Sequence, residues 1–118
     1  MVNLVKSLDT TFSALSHPVR RKVLARLRRG EAPVKELVES IAISGPALTK
    51  HLQILERAGL ITRGRDAQRR PCRLCVKPMR EIDAWMESYR EMWEESFDRL
   101  EVHLKAKQEK QRSGKDGK

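Results

Sequence analysis

The chain has 118 residues, with 25 Lys and Arg against 16 Asp and Glu and a formal net charge of +9 at neutral pH. The length suits one domain around one apolar core, and 39% apolar with 35% charged residues excludes a disordered or membrane-embedded chain. No apolar run approaches the ~20 residues of a membrane span, no signal-peptide core opens the chain, and two cysteines build no disulfide scaffold, so a cytoplasmic protein with an anionic partner is expected.

Residues 1–7 carry little pattern and read as a flexible N-terminus. Ser7 can cap a short helix over 8–15, with Leu8, Phe12 and Leu15 on one stripe. Ser16-His17-Pro18 ends it and starts a second helix, capped by Ser16 or His17, with Val19, Val23, Leu24 and Leu27 buried and Gly30 closing it. Pro33 opens a third helix with Leu37, Val38 and Ile41 apolar. Ser44 is a good N-cap and Pro46 fits only a first turn, so a fourth helix is expected over 45–58. Leu48, Leu52 and Leu55 give it a buried stripe, and Gly59 stops it. Segments 60–65 and 70–76 read as two short strands around Asp66-Ala67-Gln68, with Pro71 keeping the second at an edge. Pro78 opens the longest helix, expected to end near Leu104, and 105–118 reads as a disordered basic tail. The expected domain, 8–104, is therefore mainly α with a small β-hairpin, in the order αααα-ββ-α.

The charge is segregated. Over 17–30 lie Arg20, Arg21, Lys22, Arg26, Arg28 and Arg29 with no acid, and over 60–77 lie Arg63, Arg65, Arg69, Arg70, Arg73 and Lys77 against Asp66. Over 80–101 the sign reverses. A protein that meets a polyanion keeps one surface basic and another acidic. Some charges of the second helix read as plain solvated surface; the arginines of the hairpin do not.

Two short amphipathic helices joined at Ala42-Ile43-Ser44 are the physical plan of a helix–turn–helix, whose second helix can enter a major groove. A basic hairpin follows at once, so the unit reads as a winged helix. With Leu48, Leu52 and Leu55 facing the core, that helix presents Ser44, Gly45, Pro46, Thr49, Lys50 and Gln53 to double-stranded DNA. Thr49 and Gln53 can contact base edges, Lys50 a base or a phosphate, and the helix start at Ser44 a phosphate. Arg63, Arg65, Arg69 and Arg70 suit a minor groove and its flanking phosphates. For His51, a buried hydrogen bond or packing stands beside a phosphate contact.

Leu15-Ser16-His17-Pro18 with Arg20-Arg21, Leu48-Thr49-Lys50-His51-Leu52, and Leu55-Glu56-Arg57-Ala58-Gly59-Leu60-Ile61 resemble the ArsR/SmtB family of winged-helix regulators. The resemblance covers about 8–104 and is closest to the branch that lacks the family's metal ligands. It implies a homodimer that represses transcription by covering an inverted repeat near its own promoter. Gly45 departs from the family's longer polar residue, which removes one candidate base contact.

Met79, Ile82, Met86, Tyr89, Trp93, Phe97, Leu100 and Leu104 recur at three- and four-residue steps, an apolar seam for helix–helix contact. Trp85, Tyr89, Trp93 and Phe97 put every aromatic residue except Phe12 on this helix. The helix is acidic and would repel nucleic acid, so Trp85, Tyr89, Trp93, Phe97 and Leu100 are expected to form a dimer interface with Leu8, Phe12 and Leu15. The same stripe could serve the chain's own core. A small apolar effector between the aromatics is a lesser reading, and the sequence does not identify an effector.

Cys72 and Cys75 form a C-x-x-C, which in other settings means zinc or redox chemistry. On a strand, residues three apart face opposite ways, and no second Cys pair accompanies them. The expectation is therefore no metal and no cofactor. A thiol- or metal-responsive sensor using Cys72 and Cys75, and a DNA-binding protein without sequence preference, are the alternatives. An enzyme is not expected: His17, His51 and His103 pair with no nucleophile, and six glycines form no phosphate loop.

Overall fold

The computed structural model describes residues 2–65 and 70–116, with side chains over 6–65 and 70–110. The element order is α1 (Val2–Leu15), α2 (Pro18–Leu27), α3 (Val34–Ile41), α4 (Gly45–Arg57), β1 (Ile61–Arg63), β2 (Cys72–Leu74) and α5 (Lys77–Asp116). This is the expected mainly helical fold with a hairpin wing.

Local chemistry sets the boundaries. His17 is the N-cap of α2, its Nδ1 accepting from the Val19 amide at 3.1 Å, and Pro18 follows in the first turn. Ser44 caps α4 by accepting from the Ala47 amide at 3.3 Å. At the other end the Leu60 amide donates to the Leu55 carbonyl (3.0 Å) and the Gly59 amide to Glu56 (3.0 Å), with Gly59 at φ +76°. That is a Schellman stop, with Leu55 and Leu60 both buried in the core. It also aims the chain directly into β1.

β1 and β2 are antiparallel in the register Ile61↔Leu74, Thr62↔Arg73 and Arg63↔Cys72. A bridge between Ala32 and Cys72 ties the hairpin to the α2–α3 connection. Pro71 precedes the strand, and its carbonyl accepts from the Gly64 amide at 2.8 Å. A side chain at Gly64 would place its Cβ 2.9 Å from the Pro71 ring, so only glycine allows this closure.

Residues 1–82 form one compact unit. Its core joins Val23, Leu24 and Leu27 of α2, Leu37 of α3, and Leu48, Leu52 and Leu55 of α4 to Leu60, Ile61 and Cys72 at the base of the hairpin. The rest of α5, from Asp83 on, forms a second unit.

Both ends of the helical map differ from expectation. α1 begins at Val2, not after Ser7. Ser7 is an interior helix residue whose hydroxyl donates to Glu81 Oε2 at 2.6 Å, while its carbonyl accepts from the buried Thr11 hydroxyl at 2.8 Å. α5 ends at Asp116 rather than near Leu104, passing through the segment expected to be a disordered tail. Ala, Lys, Gln and Glu are strong helix formers, and Glu101 pairs with Lys105 one turn on at 3.5 Å.

Candidate nucleic-acid interface

α4 carries its burial on one face only. Leu48, Leu52 and Leu55 are fully buried, while Ser44, Pro46, Thr49, Lys50 and Gln53 are exposed and Gly45 is half-buried. The exposed residues begin at the helix N-terminus, where free amides and the helix dipole favour an anion. The Ser44 oxygen is occupied by its cap bond, and the Thr49 hydroxyl donates to the Gly45 carbonyl at 2.9 Å. Thr49 therefore offers outward a methyl group and an acceptor, while Lys50 and Gln53 keep their donors. Ile54 is exposed on the same helix, a residue that alternation of leucines alone does not single out.

The turn before α4 is tight because Ala42 adopts a left-handed conformation (φ 58°, ψ 50°). It closes α3 by donating its amide to the Val38 carbonyl at 3.1 Å.

The arginines of the wing divide. Arg65 and Arg70 are exposed, and Arg69 lies outside the described residues. Arg63 shares the inward face of β1 with Ile61 and is only half-exposed; its Nε is enclosed without a hydrogen-bond partner. Arg73 pairs with Glu31 at 2.9 Å. A cavity of about 350 Å³ at the hairpin's base is lined by Arg63, Arg65 and Arg73 together with Glu31 and Pro71.

The arginines of α2 divide too. Arg20 is buried, its Nε donating to the Ala14 carbonyl at 2.7 Å and its Nη2 to the Ser13 carbonyl at 3.1 Å. Its Nη1 meets His51 Nδ1 at 3.1 Å. Arg21 donates to the Leu15 carbonyl at 2.7 Å, and Arg26 pairs with Glu36 of α3. Arg20 and Arg21 thus satisfy the last carbonyls of α1. The sequence signal for a buried Arg20 was its place on the stripe of Val23, Leu24 and Leu27, three, four and seven residues on. His51 stacks at a tilt against His17, ring centroids 4.4 Å apart. Burial first, then the neighbouring His17 and Arg20, pushes the His51 imidazole below its ordinary pKa.

Of the residues expected at a dimer interface, Leu8 is buried inside the chain and Leu15 packs against its core, while Phe12 is exposed. On α5, Trp85, Tyr89, Phe97 and Leu100 are exposed and Trp93 is half-buried. Trp85, Met86, Tyr89, Met92, Trp93 and Ser96 line an apolar cleft of about 500 Å³.

The two thiols are unpaired by any disulfide. Cys72 is buried opposite Arg63, and burial pushes its thiol pKa up against the pull of Arg63 and Arg70. Cys75 is half-buried and lines a cavity of about 570 Å³ with Arg63, Lys77 and Glu56. Among the described residues no group of three His, Cys, Asp or Glu side chains could hold a metal ion, and no helix is long and apolar enough to cross a membrane.

A helix–turn–helix domain family matches residues 15–64, the span from the end of α1 to the start of the wing. The transcriptional repressor SdpR of Bacillus subtilis is 36% identical over 61 residues, covering 52% of this chain and 68% of that protein. The HTH-type transcriptional regulator Rv2034 of Mycobacterium tuberculosis is 36% identical over 56 residues, covering 48% of this chain and 52% of that one. Among solved structures, an ArsR family transcriptional regulator, RHA00566, superposes with a TM-score of 0.69 at 36% identity, covering 75% of this chain and 92% of its own. Sequence, element order and superposition agree: the chain belongs to the ArsR/SmtB family of DNA-binding winged helix–turn–helix transcriptional regulators.

Proposed function

We propose that the chain acts as a homodimeric, autoregulatory repressor that binds an inverted-repeat operator in double-stranded DNA. The observation that carries this reading is the two-sided α4: three fully buried leucines on one face, and Ser44, Pro46, Thr49, Lys50 and Gln53 exposed on the other beside an arginine-bearing wing.

In this reading α4 enters the major groove. Lys50 and Gln53 supply donors to base edges or phosphates, Thr49 offers its methyl group to a thymine, and the α4 N-terminus at Ser44, Gly45 and Pro46 faces the backbone. Arg65, Arg69 and Arg70 follow the flanking phosphates and the minor groove. Arg63, drawn inward on β1, contributes at the wing's base.

A two-fold dimer would set two copies of α4 about one turn of DNA apart, roughly 34 Å. The exposed aromatic and aliphatic residues of α5, with Phe12 of α1, supply the apolar surface for it. Repression is supported by SdpR, which is named a transcriptional repressor. A bound dimer over a promoter occludes polymerase with no further chemistry.

The test is fluorescence anisotropy on the DNA upstream of the chain's own coding sequence, against scrambled DNA, at two salt concentrations. Own-upstream DNA is expected to bind about a hundredfold tighter, approaching the ~10³ lower end of typical specificity ratios once the operator is trimmed. Equal binding to both DNAs with a steep salt dependence would instead make the chain a DNA binder without sequence preference.

A further inference from the structure

The cluster of buried Arg20 with the half-buried His17 and His51 joins three ionisable side chains that the DNA-facing residues do not use. Arg20 holds three elements at once. Two of its nitrogens donate to the last carbonyls of α1, at Ala14 and Ser13, and the third reaches His51 on α4. A guanidinium only donates. The 3.1 Å contact therefore requires His51 Nδ1 to be a bare acceptor, with the ring's proton on Nε2. His17, stacked on the same ring, has its own Nδ1 committed to accepting from the Val19 amide.

A proton added to His51 would go to Nδ1. It would set two donors and two positive charges against each other at hydrogen-bond distance, in a pocket that already disfavours the charge. The groups acting on the imidazole are His17 and Arg20, both from α2 and its cap, and α1 meets the cluster through the Ser13 and Ala14 carbonyls. Arg20 cannot yield without uncapping α1, so the strain falls on His51 and hence on α4.

We propose that Arg20 and His51 are positioning residues, in which neutral His51 ties α4 to the end of α1 through Arg20 and acid unties it, lowering affinity for DNA. This rests on α4 being the DNA-reading helix. It also has a sign that separates it from the simpler role of His51 as a phosphate contact. A histidine that touches phosphate binds DNA more tightly when charged; a histidine that holds α4 through Nδ1 binds it more weakly.

The experiment has two readouts on the full chain. Nitrogen-15 NMR of the histidine rings at pH 7.5 should show His51 unprotonated at Nδ1, titrating below the ordinary histidine range. In Arg20→Met that titration should move upward, because a neighbouring cation is gone. Anisotropy on the own-upstream duplex between pH 7.5 and pH 5 should show affinity falling about fivefold or more on acidification, the lower end of ordinary site-to-site coupling. His51→Asn, which keeps an acceptor near the Nδ1 position and cannot take the proton, should flatten that profile.

A proton on Nδ1 at pH 7.5, an affinity that rises with acid, or a His51→Asn profile as steep as the parent's would overturn the proposal. If Arg20→Met does not fold, the tautomer and the His51→Asn profile decide. If the chain binds this DNA at no pH, the proposed function fails separately. The tie itself is then upheld by the bare, low-titrating Nδ1 and overturned by an ordinary titration.

Discussion

Lys50 and Thr49 are neighbours on the exposed face of α4, yet they bring different chemistry to a groove. Lys50 keeps three free donors, whereas the Thr49 hydroxyl spends its proton on the Gly45 carbonyl. Lys50→Ala should therefore cut affinity. A lost phosphate contact would lower the salt slope of binding by about one, and a lost base contact would cost ~1–3 kcal/mol on the cognate site alone. Binding isotherms at several salt concentrations separate the two. Thr49→Val, which keeps the shape, should cost less than Lys50→Ala. Acid should also act on folding. His51 titrates lower in the fold than in the unfolded chain, so its contribution to stability is intact above the ordinary value of 6.5. It is lost as pH falls from there through the folded value. Thermal melts at pH 7.5 and 5.5 should show the lower midpoint in acid, with the difference reduced in His51→Asn. At the thiols, iodoacetamide on the folded chain should modify the half-buried Cys75 ahead of the buried, pKa-raised Cys72, as read by peptide mass mapping. The bonding partners of Arg20 and the inward turn of Arg63 were the least legible in sequence. A run of arginines shows charge, but which of them turn inward depends on carbonyls and strand faces set by the fold.

The helix–turn–helix was legible because both of its signals are local. Leu48, Leu52 and Leu55 repeat at helical spacing, and Ser44 with Pro46 marks a start that allows few alternatives. The outer limits of α1 and α5 were not. Ser7 looks like a cap, but its hydroxyl partner is Glu81, 74 positions away in sequence, and no local pattern announces it. The end of α5 rests on helix propensity and a surface ion pair, in a composition that also fits a solvated tail. The turn stores a testable strain. Ala42 sits at φ 58°, where a β-carbon costs roughly 1–2 kcal/mol. Ala42→Gly should raise stability by about 0.5–1 kcal/mol after the added freedom of the unfolded chain is counted. A denaturant midpoint that moves down, not up, would show the turn is held by its side chain. Ser44→Ala, at the other end of the same turn, should cost ~1 kcal/mol.

For the whole molecule, net charge overstates the surface that can meet DNA. Arg20 and Arg21 close α1, Arg26 pairs with Glu36 and Arg73 with Glu31, so several of the cations counted in sequence serve the fold. Among the described residues, exposed cations remain at Lys50 and Arg57 of α4, at Arg65 and Arg70 of the wing, at Lys22, Arg28 and Arg29 of the α2 region, and at Lys107 and Lys110 of α5. The exposed apolar residues of α5 bear on assembly. Phe97 is 65% exposed and Leu100 50% exposed, more than an isolated chain gains from. In the proposed dimer, Phe97→Glu with Leu100→Glu should yield monomers, seen by sedimentation equilibrium, with the helical circular dichroism retained. The apolar stripe of α5 was readable from spacing. That Leu8 and Leu15 belong to the chain's own core was not, because a stripe on a helix does not say which neighbour covers it.

The closure between Gly64 and Pro71 has a further consequence. The hairpin's two ends are locked at its neck by a 2.8 Å hydrogen bond and a contact too close for any β-carbon. Arg65 and Arg70, exposed just inside this neck, belong neither to the strand register nor to the core, so they can be exchanged without disturbing either. Two proteins sharing this neck could swap tips as cassettes, each tip bringing its own DNA preference to an unchanged scaffold. Diversification of operators would then proceed by changes at the tip, while Gly64 and Pro71 stay fixed as the joint.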